Sequence, residues 1–218
     1  MRPAIIKMRL RITFSKTEAM RFTGHLDLHK AWERTFRRAG LPLAYSQGFH
    51  PQPKINLASA LPLGFTGENE ILDAVLEEDL PVGEALLALQ CAVPPGIEVK
   101  ALEAIPANAP APQSELIASE YMITFLEEIP DLAIRLKALQ QDEKITAWRR
   151  GKSYDLKPLI LQISALDRDA AGCQRLFCRL TAQAGATGRP DELLAAMAID
   201  PHTARFHRLG LIFSPKQT

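Results

Sequence analysis

Cysteine is scarce in this 218-residue chain: Cys91, Cys173 and Cys178 are the only three, and no two form a CxxC pair. So sparse and odd a set argues against a disulfide framework or a zinc ribbon. It also argues against an iron–sulfur centre held by this chain alone, which needs a tighter set of thiolates. Long apolar runs are missing too, and none approaches the ~18 residues of a membrane span. The opening MRPAIIKMRL lacks the apolar core of a secretory signal. These absences predict a cytoplasmic protein with no membrane contact. Net charge is nearly absent, +1 from 26 Lys and Arg against 25 Asp and Glu, which excludes a histone-like polycation. What is plentiful is apolar side chain, 47% of residues, so the chain has enough surface to bury and is not globally disordered.

The stretch Pro106-Ala-Asn-Ala-Pro-Ala-Pro-Gln113 has three prolines and no large side chain, so it can neither pack nor hold a helix. It reads as a linker at 106–113 between modules at 1–105 and 114–218. In the first module, Lys7 to Phe14 alternates strictly, with Met8, Leu10, Ile12 and Phe14 on one side, as a half-buried strand does. Leu26 to Ala39 carries Leu28, Trp32, Thr35, Phe36 and Ala39 at helical spacing and is stopped by Gly40. A strand is expected in Lys54 to Ala60 and another in Glu68 to Glu77, then a helix over Gly83 to Cys91 and a strand over Gly96 to Ile105. The order β-α-β-β-α-β predicts an α+β fold of ferredoxin-like type, two helices on one face of an antiparallel sheet. The second module nearly repeats it: strand Tyr121–Glu127, helix Pro130–Gln141, strands Ile145–Arg150, Leu159–Leu166 and Gln174–Gln183, helix Pro190–Ala198, strand Arg205–Phe213. The prediction is two tandem ferredoxin-like modules with antiparallel sheets, the second with an extra strand.

The near-zero net charge hides segregation. Residues 1–58 hold eleven Lys or Arg against Glu18, Asp27 and Glu33, whereas residues 59–99 hold eight acidic residues and no basic one. Such asymmetry points to an interaction surface. It equally fits pairing across a sheet, with Lys7, Arg9 and Arg11 opposite Asp73 and Glu77. On the first helix, Lys30, Arg34, Arg37 and Arg38 share a sector of roughly 100° opposite the apolar stripe, a geometry suited to phosphate or carboxylate. A solvated basic face is the plainer alternative. Trp148-Arg149-Arg150-Gly151-Lys152-Ser153-Tyr154 interleaves cations with aromatics, as single-stranded nucleic-acid sites do, although an ordinary charged hairpin would look the same. Arg175, Phe177 and Arg179 alternate onto one face of their strand, and Lys54 adds a further cation.

His25 and His29 stand one helical turn apart, a spacing that suits a metal or a base and its orienter, while Thr23 and Asp27 fit a helix cap and first turn. No metal is expected from this pair alone. The segment Tyr45-Ser46-Gln47-Gly48-Phe49-His50-Pro51-Gln52-Pro53-Lys54 is stiffened by its prolines and reads as a site or docking loop, or as a structural turn. The loop is expected beside the start of the helix, bringing His50 toward His25 or Asp27. These three are the candidate acid–base residues; Tyr45, Ser46, Gln47, Phe49 and His50 form the candidate loop site.

The segments RFTGHLDL at 21–28, RRAGLPLAYSQGFHPQPKINLASALPLG at 37–64 and GENE at 67–70 resemble the radical-SAM-linked protein family, a domain encoded beside or fused to B12-binding-type radical SAM proteins. The likeness covers roughly residues 8 to 80. Gly24 and Gln52 depart from the family's usual Ser and His, and the second departure weakens any metal site at His50. The resemblance implies a radical SAM partner. With no CxxxCxxC motif, the chain itself is not the radical enzyme. The combined expectation is an accessory RNA-binding protein without a cofactor of its own, contacting RNA through Lys30, Arg34, Arg37, Arg38, Lys54, Arg149, Arg150 and Lys152. A protein–protein adaptor that binds no RNA, and an acid–base RNA-processing enzyme using His25 and His50, are the alternatives.

Overall fold

The computed structural model describes residues 8–149 and 151–215. The chain divides into two compact units, Met1–Glu115 and Leu116–Thr218, each mixed α+β with antiparallel strands. Among the described residues no helix is long and apolar enough to cross a membrane.

The first unit runs β1 (Arg9–Lys16), α1 (His25–Arg38), β2 (Ile55–Leu57), β3 (Phe65–Val75), α2 (Val82–Ala92), β4 (Ile97–Ile105) and a short α3 (Pro112–Glu115). β3 pairs with β2 and β1, and β1 pairs with β4, all antiparallel, giving the order β4-β1-β3-β2. Alternation makes β1: Leu10, Ile12 and Phe14 are fully buried and meet Trp32 and Phe36 of α1. Phe14 approaches Trp32 edge-on, with ring centroids 4.9 Å apart, a favoured aromatic geometry. Thr23 does not cap α1. Its hydroxyl turns to Met20 Sδ at 3.2 Å, and the extended residue that opens the helix is Gly24. Gly40 takes a left-handed φ of 68° just past the helix, where a side chain would be strained.

The opposed charges of this unit meet inside it. Arg11 lies opposite Asp73 in the β1–β3 register. Its Nε donates to Asp73 Oδ1 at 2.8 Å, and Arg9 Nη2 donates to Asp73 Oδ2 at 2.7 Å. Lys7, expected to share this role, lies outside the described residues. Arg9 also donates to the carbonyls of Ala109 and Pro110. The proline-rich stretch is therefore tied to β1, Pro112 is buried, and the division between the units falls after Glu115. Lys16 is fully buried, its ammonium donating to the carbonyls of Arg21 and Phe65 at 3.3 and 3.2 Å.

The second unit runs β5 (Leu116–Phe125), α4 (Leu132–Gln141), β6 (Thr146–Arg149), β7 (Lys152–Asp155), β8 (Ile160–Leu166), β9 (Arg175–Gln183), β10 (Ala186–Thr187), α5 (Pro190–Ala196) and β11 (Ala204–Phe213). Its sheet has the order β11-β5-β9-β8, antiparallel throughout, with β10 folded back on β9. The extra strand expected here is not in that sheet. Among the described residues β6 pairs only with β7, as a separate ribbon, which is the hairpin weighed for Trp148–Tyr154. Leu132, Leu136, Leu139, Leu193 and Leu194 are buried on the helices of this unit, and Ile123, Leu176 and Leu180 on its strands.

Candidate nucleic-acid interface

α1 buries Leu28, Trp32, Thr35 and Phe36, and that stripe turns its cations outward. The four are not equivalent. Lys30 is loosely paired with Asp27 at 4.0 Å, both side chains well exposed, a pair of little energetic worth. Arg34 and Arg37 are exposed and make no hydrogen bond or salt bridge with the described residues. Arg38 is spent on the fold: Nε and Nη2 donate to the carbonyl of Ala92 at 2.9 and 2.5 Å. That carbonyl ends α2, where a cation is favoured by the helix dipole. Arg38→Ala should therefore lower stability by about 1 kcal/mol in a urea melt while leaving a phosphate-binding face on α1 intact.

The loop after α1 closes on itself. Ser46 N donates to the Gln52 carbonyl at 2.8 Å, Gln52 N to Ser46 Oγ at 2.9 Å, and Lys54 N to the Ala44 carbonyl at 2.8 Å. Gln47, Phe49 and His50 stand exposed at its tip, and the Phe49 side chain is fully in solvent. The loop meets α1 through Tyr45, whose hydroxyl donates to Glu33 Oε1 at 3.0 Å. Burial, then that bond, pushes the phenol up from its ordinary value. Lys54 is exposed.

Glu33 lies two turns beyond His25, while Ile55, directly after the loop, sits beside His29. Among the described residues, no hydrogen bond joins His50 to His25 or Asp27. The group that acts on His25 is His29; desolvation first, then that neighbour, holds the His25 imidazole below its ordinary value. His29 Nε2 sits 3.2 Å from the Ile55 carbonyl, which can only accept, so Nε2 carries the proton. No cluster of three His, Cys, Asp or Glu side chains suited to a metal occurs among the described residues.

Gly64 N donates to the Arg21 carbonyl at 3.0 Å, and Arg21 Nε returns a bond to the Gly64 carbonyl at 2.8 Å. Phe22 and Leu63, next to these two positions, and Leu26 in the first turn of α1 are each more than 60% exposed. The signal was present as three large apolar residues inside the two longest motif segments, with no helical or strand stripe to bury them.

In the second unit the basic–aromatic cluster is split by strand alternation. Arg149 lies opposite Lys152, and Ala147 opposite Tyr154, on one face of the ribbon; Trp148 points off the other. Arg150 lies outside the described residues. Arg149 Nε donates to Glu192 Oε1 at 2.8 Å, and its Nη2 donates to Glu192 Oε2, the Tyr154 hydroxyl and the Thr187 carbonyl. The guanidinium also lies 5.0 Å over the Tyr154 ring, so that ring is not a bare stacking platform. A cavity of about 390 Å³ opens here, lined by Arg149, Lys152, Tyr154, Leu159, Gly185 and Thr187. Arg175 and Arg179 are occupied elsewhere, by the Asp167 carbonyl and by Glu120.

Burial alone would raise the Glu192 carboxyl, but the bonds from Arg149 and Tyr154 outweigh it and hold the group below its ordinary 4.5. A carboxyl lowered by folding stabilises the protein above its unfolded value, and that gain is lost as pH falls through the folded one. Glu192→Gln should therefore flatten the loss of stability below about pH 4.5, read as a smaller shift in Tm between neutral and acid buffer.

A family model spans residues 9–190 of the chain. The chain belongs to the DUF2344 family. Its members are described as an uncharacterized protein conserved in bacteria. No curated protein matches it. Among solved structures it is similar to a chain of a Cbf5-Nop10-Gar1 complex, at 10% identity and a TM-score of 0.48, covering 93% of this chain and 48% of that one. It is also similar to a chain of an H/ACA RNP bound to a substrate RNA containing 2'-deoxyuridine, at 10% identity and a TM-score of 0.41, covering 84% and 43%. The chain thus spans about half the length of these structures. The DUF2344 match takes in α1, the Tyr45–Lys54 loop and the β6–β7 ribbon, and stops two residues short of Glu192.

Proposed function

We propose that this DUF2344 protein binds RNA as an accessory to a radical SAM enzyme, in RNA modification or processing. The observation that carries the reading is the pair Arg34 and Arg37, exposed on one stripe of α1 with no salt bridge or hydrogen bond to the described residues. Arginines left without a protein anion suit the planar, bidentate recognition of phosphate. Lys54, exposed at the end of the loop that touches α1, supplies a third cation. The radical SAM partner rests on the resemblance of segments 21–28, 37–64 and 67–70. We also read each unit as ferredoxin-like, supported by the matching orders β4-β1-β3-β2 and β11-β5-β9-β8.

The test is direct titration of a short fluorescent single-stranded RNA. Binding is expected at about 50 mM salt, where even non-specific phosphate contacts are strong. Its absence there would leave the adaptor reading in possession. One observation favours that second reading on its own: Phe22, Leu26 and Leu63 expose apolar surface of the kind that protein partners cover. The acid–base enzyme has no comparable support, since no hydrogen bond among the described residues joins His50 to His25.

A further inference from the structure

The Arg149–Glu192 pair explains why Arg149 is where it is, but not why Lys152 stands beside it. The two cations face each other across one rung of the β6–β7 ribbon. Glu192 is already committed to Arg149 and Tyr154. Lys152 is exposed and has no partner among the described residues, and Arg149 Nη1 makes no hydrogen bond there. Two like charges directly opposite on a ribbon destabilise it unless an anion joins them. The carboxylate, the tyrosine hydroxyl and the Thr187 carbonyl fix the guanidinium from one side, so its free edge is held rigid rather than ordered at the moment of binding.

The space in front of these cations is larger than an inorganic phosphate fills. At about 390 Å³ it lies at the lower end of ligand pockets. One wall is apolar, from Leu159, and the rim at Gly185 and Thr187 is small. We propose that this cavity binds one phosphate-bearing nucleotide unit, its phosphate between Arg149 Nη1 and Lys152 Nζ and its base against Leu159. The site lies in the other unit from α1 and stands whether or not the α1 face binds RNA. Its ligand is either a free mononucleotide or one residue of a strand, and both present the same chemistry.

The test is calorimetric titration of the full chain with adenosine monophosphate, adenosine and a tetra-adenylate. Saturable binding of the monophosphate is expected, with adenosine weaker by about tenfold or more. Lys152→Glu should weaken the monophosphate by at least about tenfold, and Thr187→Trp should abolish its binding by filling the mouth. Both positions are exposed, so the variants should stay folded, as a melt will check. The Arg34→Ala/Arg37→Ala variant should bind the monophosphate unchanged, which separates this site from the α1 face. A tetra-adenylate that binds tighter than the monophosphate supports the site with a strand as its source, and equal affinity supports it with a free nucleotide. No saturable binding of the monophosphate, equal affinity for adenosine, or an unaltered Lys152→Glu variant would overturn it.

Discussion

Asp73→Ala should destabilise the first unit by about 3–5 kcal/mol, the cost of removing one partner from a buried ion pair. The Asp73 side chain is 1% exposed and serves two arginines that are themselves 10% and 16% exposed. With it gone, Arg9 and Arg11 would lose the one carboxylate that hydrogen-bonds both, leaving Arg11 only the weaker pull of Glu115 and Glu103. The hydrogen bond that Arg11 donates to Asp73 is the largest influence on its guanidinium and raises its pKa, against the burial that lowers it. Arg9 also holds the carbonyls of Ala109 and Pro110, so the 106–113 segment should loosen with the sheet. Asp73→Asn keeps one acceptor oxygen, loses the charge and sets an NH2 against an arginine donor, so most of the penalty is expected. The apolar triple Arg9→Met/Arg11→Met/Asp73→Leu should recover most of it, because a buried pair replaced whole is often neutral. Urea melts of the three variants decide the matter. A loss below about 1 kcal/mol for Asp73→Ala would mean the arginines find other partners.

Much of the first unit was legible because its signals are periodic. Strict alternation from Met8 to Phe14 and the stripe from Leu28 to Ala39 specify β1 and α1, and their apolar residues are the buried ones. The ends were less legible. β1 continues through Ser15 and Lys16, polar residues whose acceptors, Glu98 for the first and the Arg21 and Phe65 carbonyls for the second, local sequence does not reveal. The start of α1 was misread because Thr23 is a good cap by type, yet its hydroxyl finds Met20 first. In the second unit, Lys152-Ser-Tyr-Asp155 has no apolar alternation, so β7 exists by pairing with β6 and not by pattern. Alternation within β6 is what turns Trp148 and Arg149 opposite ways. The cavity itself needs Glu192 and Thr187, which the chain brings back from about forty residues away. The basic face of α1 was visible as a face. Which of its cations is free was not, because Arg38 is claimed by Ala92, the end of a helix that sequence spacing cannot dock.

That distinction sets the size of the second large effect. Each cation that neutralises a phosphate of a single strand contributes about 0.7 to the slope of log affinity against log salt. If Lys30, Arg34, Arg37 and Arg38 acted alike, removing the three arginines would flatten the slope by about 2. With Arg38 bound to the Ala92 carbonyl, Arg34→Ala/Arg37→Ala should already give nearly the whole change, about 1.4. Adding Arg38→Ala should lower the melting temperature without moving the slope further. The double variant should keep its stability, since exposed side chains without partners usually cost within about 0.5 kcal/mol each. Arg34→Lys/Arg37→Lys should preserve the slope and still weaken binding, because lysine keeps the charge and loses the planar fork. Lys54→Ala should remove a further ~0.7 only if the loop that touches α1 shares the contact. RNA affinity measured between about 50 and 200 mM salt, with a melt of each variant, tests all four. A folded double variant with the wild-type slope would remove α1 from the RNA surface. A slope that responds to Arg38→Ala as strongly as to Arg34→Ala would mean that RNA draws Arg38 away from the end of α2, and that α1 and α2 loosen on binding.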